Sequence, residues 1–523
     1  MCPLRGDGMK KRLLLLASAL AVFAGCSPAA PTPTPEPAQT AAPQFSEPSG
    51  VYADWSKLHG YEPPAEIGTR LSPGPLTEIE PSDDYGLLIP YAGEAVYTSD
   101  GWASQYVAQY YKYGMVTSGG CVVLDPVLDS AWTIEGERGS VYVLEMRGDE
   151  GSVKAVCALD GSWCTGFDYE SVSMTGDGYL CLLNLSWDGS GAPDPEGLAK
   201  GCIMDLEGNV VFRLSEMQPD GRLDGDANML QSLAMNMSGG RSLAQLKDGN
   251  VAFMGLDGGI LDAGYDNGEF LSAFQFDGGT AFVKDIATGL WGVIDTDGGW
   301  VCEPVYAEVY YQTGMYSALT TDGRGVLIDG SGQQLWPGVP AELTRSYIKL
   351  ENGFMSADYN TYPPVYAGSD GGALPSGNYF WCPPGSGAAL LCGDEGEYYS
   401  YDGASLTPLP SIPPGSVGSV WDDVIVASQD GKVYLFDFEG SELLSQEGNY
   451  ATVSRDAVTG ELYFLNYKAN GSVAVTSMDG REIHGGTGMT IAGGYVNAVG
   501  AASSAVVDMD GTCVFRTALD MGD

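Results

Sequence analysis

Short apolar runs punctuated by glycine-bearing polar turns recur from about residue 85 to the C-terminus of this 523-residue chain. IMDLEGNVVF (203–212), VIDTDGGWV (293–301) and LFDFEGSELL (435–444) show the pattern, with Val, Ile and aromatic residues on both flanks of an acidic-x-Gly or acidic-Gly turn. Glycine accepts positive φ, the acid or amide before it tolerates left-handed backbone, and the flanks are β-prone, so each stretch predicts a β-hairpin. The turn glycines read as 119, 161, 208, 249, 298 and 332, then 403, 440, 480 and 511, with a blurred copy at Asp370-Gly371. A period near forty residues follows, enough for four short strands and their turns. No later stretch carries a long helical period. The expected fold is all-β, a propeller-like array of antiparallel hairpin or blade units. Eleven units exceed the roughly four to eight blades of one propeller, so two rings, larger blades or an open array all fit.

The N-terminus follows a different pattern. Lys10, Lys11 and Arg12 precede an apolar run, Leu13–Ala24, interrupted only by Ser18. This is a secretory signal rather than a membrane-spanning helix. The run ends in F-A-G-C, which resembles the lipobox at which bacterial signal peptidase cuts before a diacylglyceryl-cysteine; Phe23 stands where Leu is commoner, and Met9 is an alternative start. The resemblance implies that Cys26 is lipidated and becomes the first mature residue. Seven prolines within residues 27–49 preclude a helix or a sheet ladder. That segment reads as an extended tether reaching up to roughly 70 Å at about 3.1 Å per residue. The organisation expected is a signal over 1–25, lipidated Cys26 and tether over 26–50, and an irregular lead-in over 51–84. Two β-repeat regions, 85–345 and 346–523, follow.

Charge narrows the partners. The chain carries 24 Lys+Arg against 68 Asp+Glu, net −44, and loss of residues 1–25 leaves −47. No basic run exists to neutralise phosphates, which excludes nucleic acid as a natural partner. Only His59 and His484 occur, neither at metal-ligand spacing, so zinc chemistry is not expected and both read as surface residues. The turns DTDGG and DMDGT do not supply a full calcium ligand set, and DGDAN (224–228) places Met229 where a calcium loop needs glycine. No cofactor or metal is expected. Of eleven cysteines, Cys157 and Cys164 are symmetric about Asp160-Gly161. A two-residue hairpin would make them a hydrogen-bonded pair about 5.5 Å apart at Cα. A disulfide and two free buried thiols both fit that spacing.

One stretch carries more than a turn. G289-L-W-G-V-I-D-T-D-G-G-W-V-C-E-P-V-Y306 resembles a unit of the WG-repeat family, with Trp291, Gly292, Asp295, Gly298, Pro304 and Tyr306 at the matching positions. A second copy, 113–130, keeps Gly114, Gly119 and Pro126 and has Tyr113 for tryptophan, whereas 200–211 and 324–337 replace the aromatic with Lys200 and Arg324. The resemblance covers about residues 85–345; GKVYLFDFEGSELL (431–444) is more similar to blades of quinoprotein-like propellers. It implies that Trp291 and Tyr306 pack blades and that Asp295 and Asp297 belong to a turn rather than a catalytic pair.

These observations favour a surface-tethered, non-enzymatic binding or scaffold module, lipid-anchored on the extracytoplasmic face of a membrane. Its partner would be a surface protein or polysaccharide. The alternative is a carbohydrate-active envelope enzyme using paired carboxylates, suggested by 10 Trp, 30 Tyr and abundant acids. A quinoprotein dehydrogenase ranks third, because no two cysteines are neighbours to form the adjacent-cysteine disulfide of many such enzymes.

Overall fold

The computed structural model describes residues 68–520, except 100–106, 137, 149–150, 185–199, 219, 224–236, 249–250, 262–264, 267–273, 362–363, 376–379, 384–386, 422, 469–472, 486–487, 500–502 and 511. Cys26, the signal and tether, His59, the DGDAN stretch, Gly249 and Gly511 lie outside the described residues. All described residues belong to one compact unit, Pro43–Asp523.

The fold is all-β and propeller-like: ten small sheets follow one another along the chain, and hairpins join most successive strands. The first sheet contains Leu88–Ser99, Val107–Thr117 and Cys121–Leu128. Thr69–Arg70, from the segment that reads as an irregular lead-in, adds a parallel edge against Cys121 and Val122. Sheets two to four cover Ser130–Ala158, Ser171–Arg213 and Arg241–Gly255. The fifth has six strands from Tyr265 to Ile328, and the sixth to tenth occupy Ser346–Gly368, Phe380–Pro408, Val417–Glu447, Tyr450–Gly485 and Gly488–Ala518.

Each sheet buries both faces, which explains why many strands read as unbroken apolar runs rather than alternating ones. In Leu180–Leu183, Leu180 and Leu182 pack with Val141 and Val156 of the second sheet. Cys181 and Leu183 point the other way and pack with Ala244 and Met254 of the fourth. The same alternation continues along the chain. It crosses residue 345 without a break, since Met315 and Leu327 of the fifth sheet share a core with Tyr347 and Phe354 of the sixth. The tenth sheet packs back on the first: Val506 and Phe515 join Ile89, Tyr91, Val116 and Val122 in one cluster. Asp520 also exchanges backbone bonds with Gly93 and Ala95, at 3.0 and 2.7 Å.

The recurring turn has one construction. In Asp295–Gly299, Asp295 Oδ1 accepts from the amides of Asp297 and Gly299 at 3.0 and 2.8 Å, and Gly298 N–H donates to Asp295 O at 3.0 Å. Gly298 has φ +84°, a region in which L side chains are strained. Asp205, Asp329, Asp437 and Asp508 accept through Oδ1 from the same two positions, two and four residues on. Counting from the acceptor corrects one of the expected glycines. Thr117 takes the acceptor place in the first sheet, so the left-handed residue is Gly120 and not Gly119. In the fourth sheet Gly258 (φ +83°) closes the turn that follows the strand Val251–Gly255, its N–H donating to Gly255 O at 3.0 Å. The fifth sheet, with six strands, carries three such turns, at Gly298, Gly323 and Gly332, the middle one with Thr320 Oγ1 as the acceptor from Arg324 N–H at 3.1 Å.

Candidate functional site

The residues of the 289–306 unit converge on one packed junction. Trp291 pairs with Tyr306 across the strands, and the ladder bulges immediately after it. A Cβ on Gly292 would meet the Trp300 ring at 2.6 Å and Cys302 O at 2.7 Å, so only glycine admits that close approach. Pro304, which has no amide hydrogen to give the ladder, sits at the bulge, where none is required. Tyr306 is buried and its hydroxyl donates to Gly332 O at 2.7 Å, tying this unit to the next turn. Trp291 is half-buried, edge-on to Phe274 with ring centroids 5.4 Å apart.

The 113–130 copy repeats the arrangement. Tyr113 pairs with Leu128, the ladder shifts at Gly114, and Pro126 lies against Gly93. A Cβ on Gly114 would come within 2.6 Å of the Tyr91 ring. The aromatic-Gly and Pro-x-aromatic halves of the motif are therefore the two sides of one bulged strand pair.

The structure also brings together residues that the sequence pattern does not mark. A cleft of about 440 Å³ opens where the third, fourth and fifth sheets meet. Its lining includes Gly239, Gly240, Arg241, Asp257, Thr296 and Asp297. Arg241 Nε donates to Thr296 O at 3.1 Å, and Asp257 Oδ1 accepts from Gly259 N–H at 2.9 Å. A guanidinium and two carboxylates in one lining, with glycines beside them, suit a polar ligand offering both donors and acceptors. These residues come from three repeat units, so no local motif announces them. Thr296 and Asp297 belong to the turn read from sequence.

Beneath the cleft lies an inter-sheet latch. Asp177, in a hairpin of the third sheet, accepts from Gly239 and Gly240 N–H at 2.5 and 2.7 Å. The ninth sheet repeats the device more deeply: Asp456, 1% exposed, accepts from Gly493 and Gly494 N–H at 2.9 and 2.6 Å and from Val458 and Thr459 of its own turn. A carboxylate gripping a Gly-Gly turn of the following sheet is thus used twice.

The Cys157–Cys164 geometry differs from the expected one. Ala158 N–H donates to Trp163 O and Thr165 N–H to Val156 O, at 2.9 and 2.8 Å, so these bonds flank the cysteine pair. Cys157 and Cys164 face each other at a non-hydrogen-bonded position. The reason is the loop: Gly161 N–H closes on Ala158 O, making a four-residue connection, 159–162, where a two-residue one was expected. Both cysteines stand as free thiols. Among the described residues no group of three or more His, Cys, Asp or Glu side chains is placed to hold a metal ion. No helix among them is long and apolar enough to cross a membrane.

No protein-family model matches the chain, and no curated protein matches it. Several solved structures do. BamB from Moraxella catarrhalis is 11% identical, with 66% of this chain and 99% of that one covered at a TM-score of 0.23. A eukaryotic initiation factor is 12% identical over 75% and 94% of the two chains at 0.34. AztD from Citrobacter koseri is 11% identical over 52% and 92% at 0.24.

Proposed function

We propose that the chain is a WG-repeat-type lipoprotein whose β-repeat body acts as a non-enzymatic binding or scaffold module. Lipidated Cys26 holds it on the extracytoplasmic face of a membrane, and the proline-rich tether carries the body toward its partner. The partner is a surface protein or polysaccharide. The observation that supports this reading most is the use of the repeat's polar side chains. Asp205, Asp295, Asp329, Asp437 and Asp508 each spend a carboxylate oxygen on their own turn amides. What the repeats offer outward is contact surface, including Tyr311, Trp421 and Tyr450, exposed by 66, 49 and 54%. Exposed rings beside polar loops suit recognition.

The anchor is tested in bacterial cells supplied with a clickable fatty acid, comparing the full chain with Cys26→Ala. The expected result is label on the parent protein, none on the variant, and a body that protease added outside the cytoplasmic membrane digests. Equal label on both proteins would remove the anchor from the account.

A further inference from the structure

Cys157 lies in the strand Gly151–Ala158, and Cys164 stands directly across the turn that follows. At a non-hydrogen-bonded antiparallel position the facing Cα atoms are only about 4.5 Å apart and the side chains closer than at the alternate position. That spacing falls at the short end of the range that admits a disulfide. Cys157 is fully buried with Leu88, Met115 and Tyr142, and half-buried Cys164 packs on the same cluster. Interaction with the Cys164 thiol, followed by burial, pushes the Cys157 thiol far above its ordinary range. Cys164 is therefore the sulfur that solvent reaches first.

No comparable partner exists for the next candidate pair. Cys181 faces Ile203, and Cys202 faces Leu182, so the two are out of register on neighbouring strands. They also point into opposite cores, toward the fourth and the second sheet respectively.

We propose that Cys157 and Cys164 form a redox pair that closes into a cross-strand disulfide by exchange with an external disulfide of the glutathione type. The Cys164 thiolate attacks one sulfur of that disulfide, expelling one thiol and leaving a mixed disulfide on Cys164. Cys157 then loses its proton and attacks the Cys164 sulfur, breaking the mixed disulfide and expelling the second thiol. Two protein thiols are oxidised, one external disulfide is reduced to two thiols, and the two protons pass to the released thiolates. The bond fastens a turn on which the first sheet rests. Gly161 O accepts from Ser82 N–H at 3.0 Å, and Leu159 O accepts from Leu88 N–H at 2.8 Å. Neither the anchor nor a surface partner is needed for the pair to close.

The test uses the full chain, equilibrated natively with oxidised glutathione or with dithiothreitol, and in a parallel arm refolded from denaturant in the same buffers. Free thiols are alkylated, and the unreduced chain is cut on the N-terminal side of aspartate, which severs Leu159 from Asp160. The expected product after oxidised glutathione, in either arm, is one linked species holding Cys157 and Cys164 that falls apart on reduction. It is lost in Cys164→Ser and in Cys157→Ser, and the oxidised chain melts a few degrees above the reduced one. Alkylation of both cysteines in both oxidised arms, or linkage of either to a different cysteine, would overturn the proposal.

Discussion

Replacing Asp456 with alanine should destabilise the folded body by about 3–5 kcal/mol, because a buried acceptor of four amide bonds disappears at once. Its oxygens take Val458, Thr459 and Gly493 N–H on Oδ1 and Gly494 N–H on Oδ2. The side chain is shielded from water at 1% exposure, so the orphaned donors find no substitute. Asp456→Asn should also be costly, since the amide that replaces Oδ2 turns a donor toward a donor. Asp177→Ala is the internal comparison. It removes the same kind of grip on Gly239 and Gly240, but from a half-buried position where water re-bonds the amides, and should cost about 1 kcal/mol. Chemical denaturation of the three variants checks the ordering. Equal midpoints for Asp456→Ala and the parent would show that the latch carries no stability.

The contact between the last and first sheets should be nearly as consequential. Phe515 is 5% exposed and lies against Tyr91 with ring centroids 4.6 Å apart and planes tilted by 58°. Truncating a buried phenylalanine removes its transfer energy and leaves a cavity, so Phe515→Ala should cost about 3–5 kcal/mol. The stronger check is a double-mutant cycle with Tyr91→Ala. Tilted aromatic pairs couple by about 0.5–1.5 kcal/mol beyond burial, so the double variant should lose less than the two singles together. Strict additivity within about 0.3–0.5 kcal/mol would mean that the rings do not meet.

How much of this was legible in the chain depends on the range of the interaction. The turns were readable because acceptor, glycine and closing amide lie within five residues, as in Asp295–Gly299. Their positions slipped where another residue took the acceptor's place, as Thr117 does before Gly120. The aromatic-Gly and Pro-x-aromatic spacing was visible, whereas its meaning, a bulged pair whose glycine admits the Trp300 or Tyr91 ring, required the partner strand. The doubled fifth sheet left only a short gap between Gly298 and Gly332 as its trace. The latches were invisible because Asp456 meets amides 37 and 38 residues away and Asp177 meets amides 62 and 63 away. The cleft combines three repeat units for the same reason.

The central claim is that the body binds at the envelope and turns nothing over. It is tested most directly by incubating the full chain, in detergent, with envelope polysaccharides and peptidoglycan fragments while retention on the polymer and release of reducing ends are measured together. The account predicts saturable retention on a polysaccharide or on an accompanying surface protein, with reducing ends no higher than in buffer. Sustained release of reducing ends, abolished by replacing one converging pair of Asp or Glu residues, would contradict it and make the chain a carbohydrate-active enzyme.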